Sequence, residues 1–218
     1  AENVYFGKPC GLMDQTASSV GNFVAIDFKD TEHPIVEQIP FDFTSVGHAL
    51  CIVDTGGNHA DLTPDYAAIT AEMKSVAAFF GKNVLSELSE SDIYENIAAL
   101  RKKCGDRAIL RAIHFFADSK KAVQEAEALK NNDFETFKKL ILSSGISSST
   151  CLQNVYSTSN PQEQGLSLAL ALCQKILGDK GAYRVHGGGF AGTIQAFVPT
   201  ELLQTFHDEM ESAFGEGN

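Results

Sequence analysis

The stretch GKPCGLMDQTASSVG, residues 7–21, places a single acid at the start of a short helix. Pro9 stiffens the approach and Gly21 ends the run, so we expect a helix over residues 11–19. Asp14 falls in its first turn, where the helix dipole and free backbone N–H groups favour an ionised carboxylate. Such a carboxylate can orient a hydroxyl and accept its proton, or it can simply stabilise the helix end. Charge and position alone favour the stabilising role.

The composition is that of an ordinary folded domain. The chain has 218 residues, of which 44% are hydrophobic and 21% charged, enough for a substantial core. No apolar run approaches the roughly 20 residues of a membrane span, and the N-terminus lacks the pattern of a signal peptide. The net charge is −11 without a basic tract, which argues against nucleic acid and membranes as partners.

The cysteines point to a reducing compartment. There are five of them: Cys10, Cys51, Cys104, Cys151 and Cys173. They are scattered and odd in number, with no CxxC pair, which favours reduced, mostly buried thiols in a cytoplasmic protein. A disulfide or a metal site is the less favoured alternative.

The order of the sequence patterns indicates an α+β fold. Three β-rich runs come first and predict an antiparallel meander whose third strand is well buried: 22–28, 35–41 and 48–55. Helical patterns follow: 63–81, 92–103, 106–130, 134–144 and 161–177. A polar loop is expected over 143–160. Two strands (181–187 and 193–199) and a closing helix complete the chain. We therefore expect an antiparallel sheet covered on one face by helices.

A second motif, RVHGGGFAG, spans residues 184–192. Three consecutive glycines let the backbone approach another group closely, as phosphate-binding loops require. The pattern is neither GxxxxGK[ST] nor GxGxxG in its strand–loop–helix setting, and a strand follows it. Spacing alone leaves a phosphate-proximal loop and a simple packing hairpin equally open.

Together these stretches resemble a known family. GKPCGLMDQTASSVG is similar to the acidic-helix motif of galactokinases, and GGGFAG resembles the third motif of the wider GHMP kinases. The resemblance extends over nearly the whole chain but matches only the C-terminal half of a galactokinase. It implies that residues 1–218 form a ferredoxin-like GHMP C-terminal domain. Residues 1–21 would be an inter-domain segment carrying the acid, and the N-terminal sugar- and ATP-binding half would be absent.

The resemblance also implies roles for sugar-binding residues. Asp14 matches the acid that contacts the anomeric hydroxyl and is proposed as the catalytic base. Tyr66 matches a tyrosine that contacts the sugar, although an ordinary aromatic at a helix start is the alternative. Asp54, at the end of the third strand, falls near the sugar pocket where relatives often have Asn.

The glycine motif takes its role from the same resemblance. Gly187, Gly188 and Gly189 match a loop that packs near the phosphates, and Arg184 occupies the preceding arginine position. His114 and His186 fit no metal set and are read as ordinary core or loop histidines. No metal ligand is expected in this half.

The implied activity is that of an ATP-dependent sugar 1-kinase. The full-length enzyme would transfer the γ-phosphoryl group of MgATP to the anomeric hydroxyl of galactose, giving galactose 1-phosphate. This chain alone is expected to be inactive, since nearly all ATP contacts would lie in the missing domain. The surface that domain covers would be apolar and could drive formation of a homodimer.

Two alternatives remain open. One is a GHMP kinase for another sugar, such as N-acetylgalactosamine, and the other is a non-catalytic sugar sensor. Departures from the family bear on the sugar: SSGISSSTCLQ lacks the histidine of the usual Ser-His-x-Ser-Leu, and NPQEQGL replaces a Pro-Glu-Leu-Asp segment.

Overall fold

The computed structural model describes Tyr5, residues 11–57 and residues 62–217. The rest of the predicted inter-domain segment, residues 1–4 and 6–10 with Cys10, lies outside the described residues. So does part of the connection after the third strand. Within the described ranges the chain forms two antiparallel sheets surrounded by helices.

Five strands make up these sheets. Their bounds are β1 Phe23–Asp27, β2 Ile35–Ile39, β3 His48–Asp54, β4 Ala182–Val185 and β5 Thr193–Pro199. Strands β1 and β2 form a separate hairpin, while the other three form one sheet in the order β3-β5-β4. All pairs are antiparallel. The last strand in the sequence is therefore the central strand of the larger sheet.

The expected three-strand meander is wrong, because β3 does not pair with β2. It pairs with β5 along its full length, from His48 opposite Pro199 to Asp54 opposite Thr193. A 3₁₀ turn ending at Gly47, whose φ is 67°, separates β3 from the hairpin. β3 is also less buried than predicted: as an edge strand it buries only Val53.

Helices fill the long interval between β3 and β4. The eight α-helices of the described ranges are α1 Met13–Val20, α2 Thr63–Phe79, α3 Glu90–Glu95, α4 Ile97–Lys103, α5 Asp106–Lys130, α6 Phe134–Ser147, α7 Gly165–Leu177 and α8 Leu203–Phe214. The bounds predicted for α5 are confirmed. So is the cap of α6, where the Asp133 carboxylate accepts a hydrogen bond from the Thr136 N–H at 3.0 Å. None of these helices is long and apolar enough to cross a membrane.

The polar stretch 143–160 is not simply a loop. Helix α6 continues to Ser147, and a π-helical turn follows over Ser148–Leu152. The prediction failed because the serines have partners on α5. The Ser144 hydroxyl donates to Asp118 at 2.6 Å, and the Ser147 hydroxyl is hydrogen-bonded to His114 at 2.9 Å. Polar residues can lie between two helices when their hydrogen bonds are satisfied there.

The α+β class with antiparallel sheets is confirmed, but helices pack on both faces of the larger sheet. One face packs Ile194 and Val198 against α7 and α8. The other packs Phe197 against α6, the end of α5 and Phe43. Both faces are covered because β5 carries apolar residues on each side of its pleat. A third cluster, around Ile93, joins α2 to α5.

Candidate functional site

The glycine loop joins β4 to β5 and turns through left-handed conformations. Gly187 has φ 72° and Gly189 has φ 79°, and Phe190 follows at φ 63°. A non-glycine residue in this region is uncommon and costs conformational energy. The loop is closed at its base, where the His186 N–H donates to the Thr193 carbonyl at 3.0 Å.

Two residues from distant parts of the chain fix this loop. The Tyr66 hydroxyl, at the start of α2, donates to the Gly189 carbonyl at 2.7 Å, and its ring lies edge-on to Phe190 at 5.3 Å. Asn154 follows the π-helical turn, and its Nδ2 donates to the Gly188 carbonyl at 3.0 Å. The Asn154 carbonyl also accepts from the Phe190 N–H at 2.5 Å. The loop is therefore held on both sides.

The glycines are required by these close approaches. A Cβ on Gly188 would lie 2.7 Å from the Tyr66 ring, and one on Gly189 would lie 2.2 Å from the Asn154 carbonyl oxygen. Gly187, in contrast, faces open space despite its positive φ. The two roles considered for GGGFAG, packing and phosphate binding, are therefore compatible. Gly188 and Gly189 allow close packing, and Gly187 leaves space in front of the loop.

In front of the loop lies a depression of about 280 Å³. It is lined by the loop glycines, His186, Gly57, the residues 191–193 and Asp54. The Asp54 carboxylate is exposed and accepts a hydrogen bond from the Gly56 N–H at 2.9 Å. The structure therefore brings Asp54 and the three glycines together. Tyr66 supports the loop and does not line the depression.

Asp14 is carried by α1. It occupies the first turn of α1, as predicted, and its side chain is exposed. The far end of α1 is tied to the β1–β2 hairpin, because Gln38 Nε2 donates to the carbonyls of Val20 and Gly21 at 3.3 and 3.2 Å. Within the described residues, Asp14 is not among those that line the depression.

The Arg184 side chain faces α5, and it is not among the described residues that line the depression. Its guanidinium lies 3.8 Å from the Asp118 carboxylate on α5. The reason is strand alternation: Val185 points to the α7–α8 core, so its neighbour Arg184 points to the opposite face. Arg184 is near the loop along the chain, but its side chain does not line the depression.

Arg184, on β4, belongs to a half-buried cluster of charged side chains whose other members lie on α5. Besides Arg184, Asp118 is approached by Lys121 at 3.7 Å and by His114 at 3.8 Å. Burial lowers the pKa of His114, which keeps the imidazole neutral near pH 7 even though Asp118 acts in the opposite direction. Burial also raises the pKa of Glu125 to about 7, against the attraction of Arg184. The buried Glu125 Oε1 has no hydrogen-bond partner among the described residues.

No cysteine is among the described residues that line the depression. Cys51, Cys104, Cys151 and Cys173 are free thiols, of which only Cys173 is buried, so the expectation of mostly buried cysteines is wrong. No group of three potential metal-binding side chains occurs among the described residues. His186 has an ordinary polar contact, since its Nδ1 lies 3.1 Å from the Gln195 side-chain oxygen.

Sequence comparison identifies relatives over almost the entire chain. A galactokinase of Actinobacillus pleuropneumoniae is 27% identical over 204 residues, which cover 94% of this chain and 50% of that protein. A galactokinase of Haemophilus influenzae is 29% identical over 215 residues, covering 97% of this chain and 50% of that protein. No protein-family model matches the chain. The chain is a homologue of the C-terminal half of galactokinases.

Solved structures agree on the fold. Lactococcus lactis galactokinase complexed with galactose superposes with a TM-score of 0.72 at 21% identity, covering 99% of this chain and 53% of that one. L. major mevalonate kinase in complex with R-mevalonate gives a TM-score of 0.59 at 16% identity, covering 99% of this chain and 52% of that one. The predicted GHMP kinase fold is therefore confirmed. The chain spans about half the length of the relatives it matches.

Sequence reasoning does not identify two residues that hold the glycine loop. The sequence predicts only a polar loop around Asn154, and it gives Phe190 no role beyond membership of the glycine motif. A glycine run signals that a neighbour approaches closely, but it does not identify that neighbour. Nothing within a single sequence links Asn154 to a loop that begins at Gly187.

The two left-handed glycines should respond differently to a methyl group. Gly187→Ala adds only backbone strain of about 1 kcal/mol, whereas Gly189→Ala adds similar strain and a collision with Asn154. We expect Gly189→Ala to lower the melting temperature by several degrees more than Gly187→Ala. Thermal unfolding followed by circular dichroism measures both, and equal shifts would contradict the described packing.

Glu125 should make stability depend on pH. Its pKa is about 7 when folded and near the ordinary 4.5 when unfolded. Between these values the folded chain holds a proton that the unfolded chain has lost, so stability falls as pH rises through this window. Glu125→Gln should therefore be about 1–3 kcal/mol more stable than the parent above the window and close to it below.

Urea unfolding on both sides of this window measures the effect. Glu127→Gln is the matched control, since Glu127 is exposed on the same helix and should change stability by less than about 0.5 kcal/mol. A Glu125→Gln variant that keeps the pH dependence of the parent would show that another group causes it.

Proposed function

We propose that the full-length protein is an ATP-dependent sugar 1-kinase that phosphorylates galactose at its anomeric hydroxyl. The observation that carries this proposal is the glycine loop fixed in left-handed conformations beside Asp54, in a chain homologous to galactokinases. The relative from Lactococcus lactis was solved with galactose bound. The product would be galactose 1-phosphate, and the transferred group would come from MgATP.

The loop suits a reaction governed by positioning and charge. Phosphoryl transfer needs little covalent help from the protein, and its developing charge is spread over the phosphate oxygens. Successive backbone N–H groups around left-handed residues form concave sites that accept anions. Because Gly187 has open space in front of it, a phosphate could approach the backbone there without meeting a side chain of the described residues.

Asp14 and Tyr66 take the sugar-side roles in this proposal. The exposed Asp14 carboxylate would orient the anomeric hydroxyl and accept its proton. Tyr66 would contact the sugar from the start of α2 while its hydroxyl donates to the Gly189 carbonyl and so supports the loop. Asp54 would lie at the rim of the same site.

Arg184 takes a different role from the one its position in the motif implies. Its side chain faces Asp118, so we assign it to holding the strand that leads into the loop. The half of the relatives that this chain does not match would supply most ATP contacts. The 218 residues alone would then be inactive, and the full-length enzyme would act in the cytoplasm.

A substrate panel on the full-length protein tests the function. With MgATP we expect galactose 1-phosphate from galactose, and no product from the 218-residue chain under the same conditions. Product from N-acetylgalactosamine but not galactose would assign another sugar. Binding of sugar without turnover on any substrate would favour a sensor.

Removing the proposed base should nearly abolish turnover. In the full-length protein, Asp14→Asn should lower kcat by about 10²-fold or more, since a positioned general base contributes that much. Asp179→Asn is the control, because Asp179 is another exposed carboxylate, just before β4, and its kcat should remain within about twofold of the parent. Near-normal turnover in Asp14→Asn would remove Asp14 from its role.

A further inference from the structure

We propose that Asn154 is a positioning residue that holds the glycine loop in the conformation required for phosphoryl transfer. The inference rests on the proposed function for its catalytic consequence. The contacts themselves stand independently of it.

Asn154 brackets Gly189 with two hydrogen bonds. Its Nδ2 donates to the carbonyl of Gly188, before Gly189, and its own carbonyl accepts from the N–H of Phe190, after Gly189. Fixing the peptide groups on both sides of one residue leaves it little freedom in φ and ψ. Asn154 is 3% exposed, so water does not compete for these bonds.

Phe190 shows that the loop is held under strain. Its φ of 63° costs of order 1–3 kcal/mol and persists only when the surroundings enforce it. The Phe190 side chain is 5% exposed and packs against Tyr66, while its N–H is bound to Asn154. These contacts hold Phe190 in its left-handed conformation.

The segment that delivers Asn154 is itself anchored. The Leu152 carbonyl, two residues earlier, accepts from Arg111 Nε at 3.1 Å. Arg111 is 2% exposed and pairs with Glu72 at 2.9 Å. Glu72 lies on α2, the helix that also carries Tyr66, so both supports of the loop are attached to one helix. A π-helical turn lies just before Asn154, as is frequent at functional sites.

One feature of Asn154 favours a role in positioning the loop over a role in stabilising the fold alone. Its buried Oδ1 has no hydrogen-bond partner among the described residues. An unsatisfied buried acceptor costs about 1–3 kcal/mol, and turning the amide over would set two acceptors against each other at Gly188. If this side chain only stabilised the fold, an apolar residue at position 154 would avoid the cost of the unsatisfied oxygen. An amide is needed there because its Nδ2 donates to the Gly188 carbonyl of the loop.

Kinetics of two variants in the full-length protein test the proposal. Asn154→Ala should lower kcat about tenfold or more, with the KM for sugar changed by less than about twofold. The loop would lose its fixed geometry, whereas Asp14 and Tyr66, which take the sugar-side roles in the proposed function, are carried by α1 and α2. Asn154→Asp should depend on pH. Burial raises the pKa of the new carboxyl, which donates to Gly188 only when protonated. Its kcat relative to the parent should therefore recover towards acidic pH, whereas that of Asn154→Ala should not.

Asn96→Asp is the matched control. Asn96 Nδ2 also donates to a backbone carbonyl, that of Asp92, at 2.9 Å, but it lies between α3 and α4 and does not contact the loop. Its kcat should remain within about twofold of the parent. Hydrogen exchange of residues 187–190 should be faster in Asn154→Ala and unchanged in Asn96→Asp.

The outcomes separate this inference from the proposed function. Unchanged kcat in both Asn154 variants, or reduced kcat without faster exchange in the loop, overturns the positioning role. If Asn154→Ala does not fold, the pH series of Asn154→Asp decides: recovery in acid supports the role and a flat profile overturns it. A parent protein inactive on every sugar defeats the proposed function alone, and faster loop exchange in Asn154→Ala would still support Asn154 as the residue that fixes the loop.

Discussion

The pairing of β3 with β5 is the constraint on which the site depends. It joins two segments that are far apart in the sequence, His48–Asp54 and Thr193–Pro199, and its register sets Asp54 opposite Thr193. The next residue, Thr55, then donates twice to the Gly192 carbonyl, from its N–H at 2.9 Å and its hydroxyl at 2.7 Å. The chain therefore leaves β3 at the glycine-loop end of the sheet, where α2 begins and carries Tyr66 to the loop. It enters β4 at the opposite end, where Ala182 pairs with Phe197, and β4 then leads back into the loop.

The placement of the helices between β3 and β4 also depends on a buried charge. Arg111 is almost fully buried, and burial lowers its pKa while Glu72 acts in the opposite direction. A buried guanidinium is tolerable only when its donors are satisfied. Its partners are Glu72 on α2 and the Leu152 carbonyl at the end of the π-helical turn. One side chain on α5 thus fixes the relative placement of the two elements that support the loop.

Local patterns predicted the elements well and their long-range pairing poorly. The bounds of α5 and the Asp133 cap follow from periodicity and capping, which act within a few residues. The partner of β3 is chosen by packing on both faces of β5, which no short window shows. The serine-rich pattern of residues 143–160 predicts a loop, because the sequence does not show that His114 and Asp118 on α5 supply hydrogen-bond partners. At the site, the glycines and Asp54 were predictable, whereas Asn154 was not, because its role depends on tertiary contact alone.

A loop that recognises a ligand through its backbone has a particular difficulty. Glycines allow the close approach, but they also give the loop more freedom than any other residue and no side chain with which to anchor it. Rigidity must then come from neighbours, and here it comes from Tyr66 and Asn154. The left-handed Phe190 and the unsatisfied Asn154 oxygen are stability costs of that arrangement. The properties of the glycine motif therefore reside largely in residues outside it, and a matching motif without these supports would not be expected to form the same site.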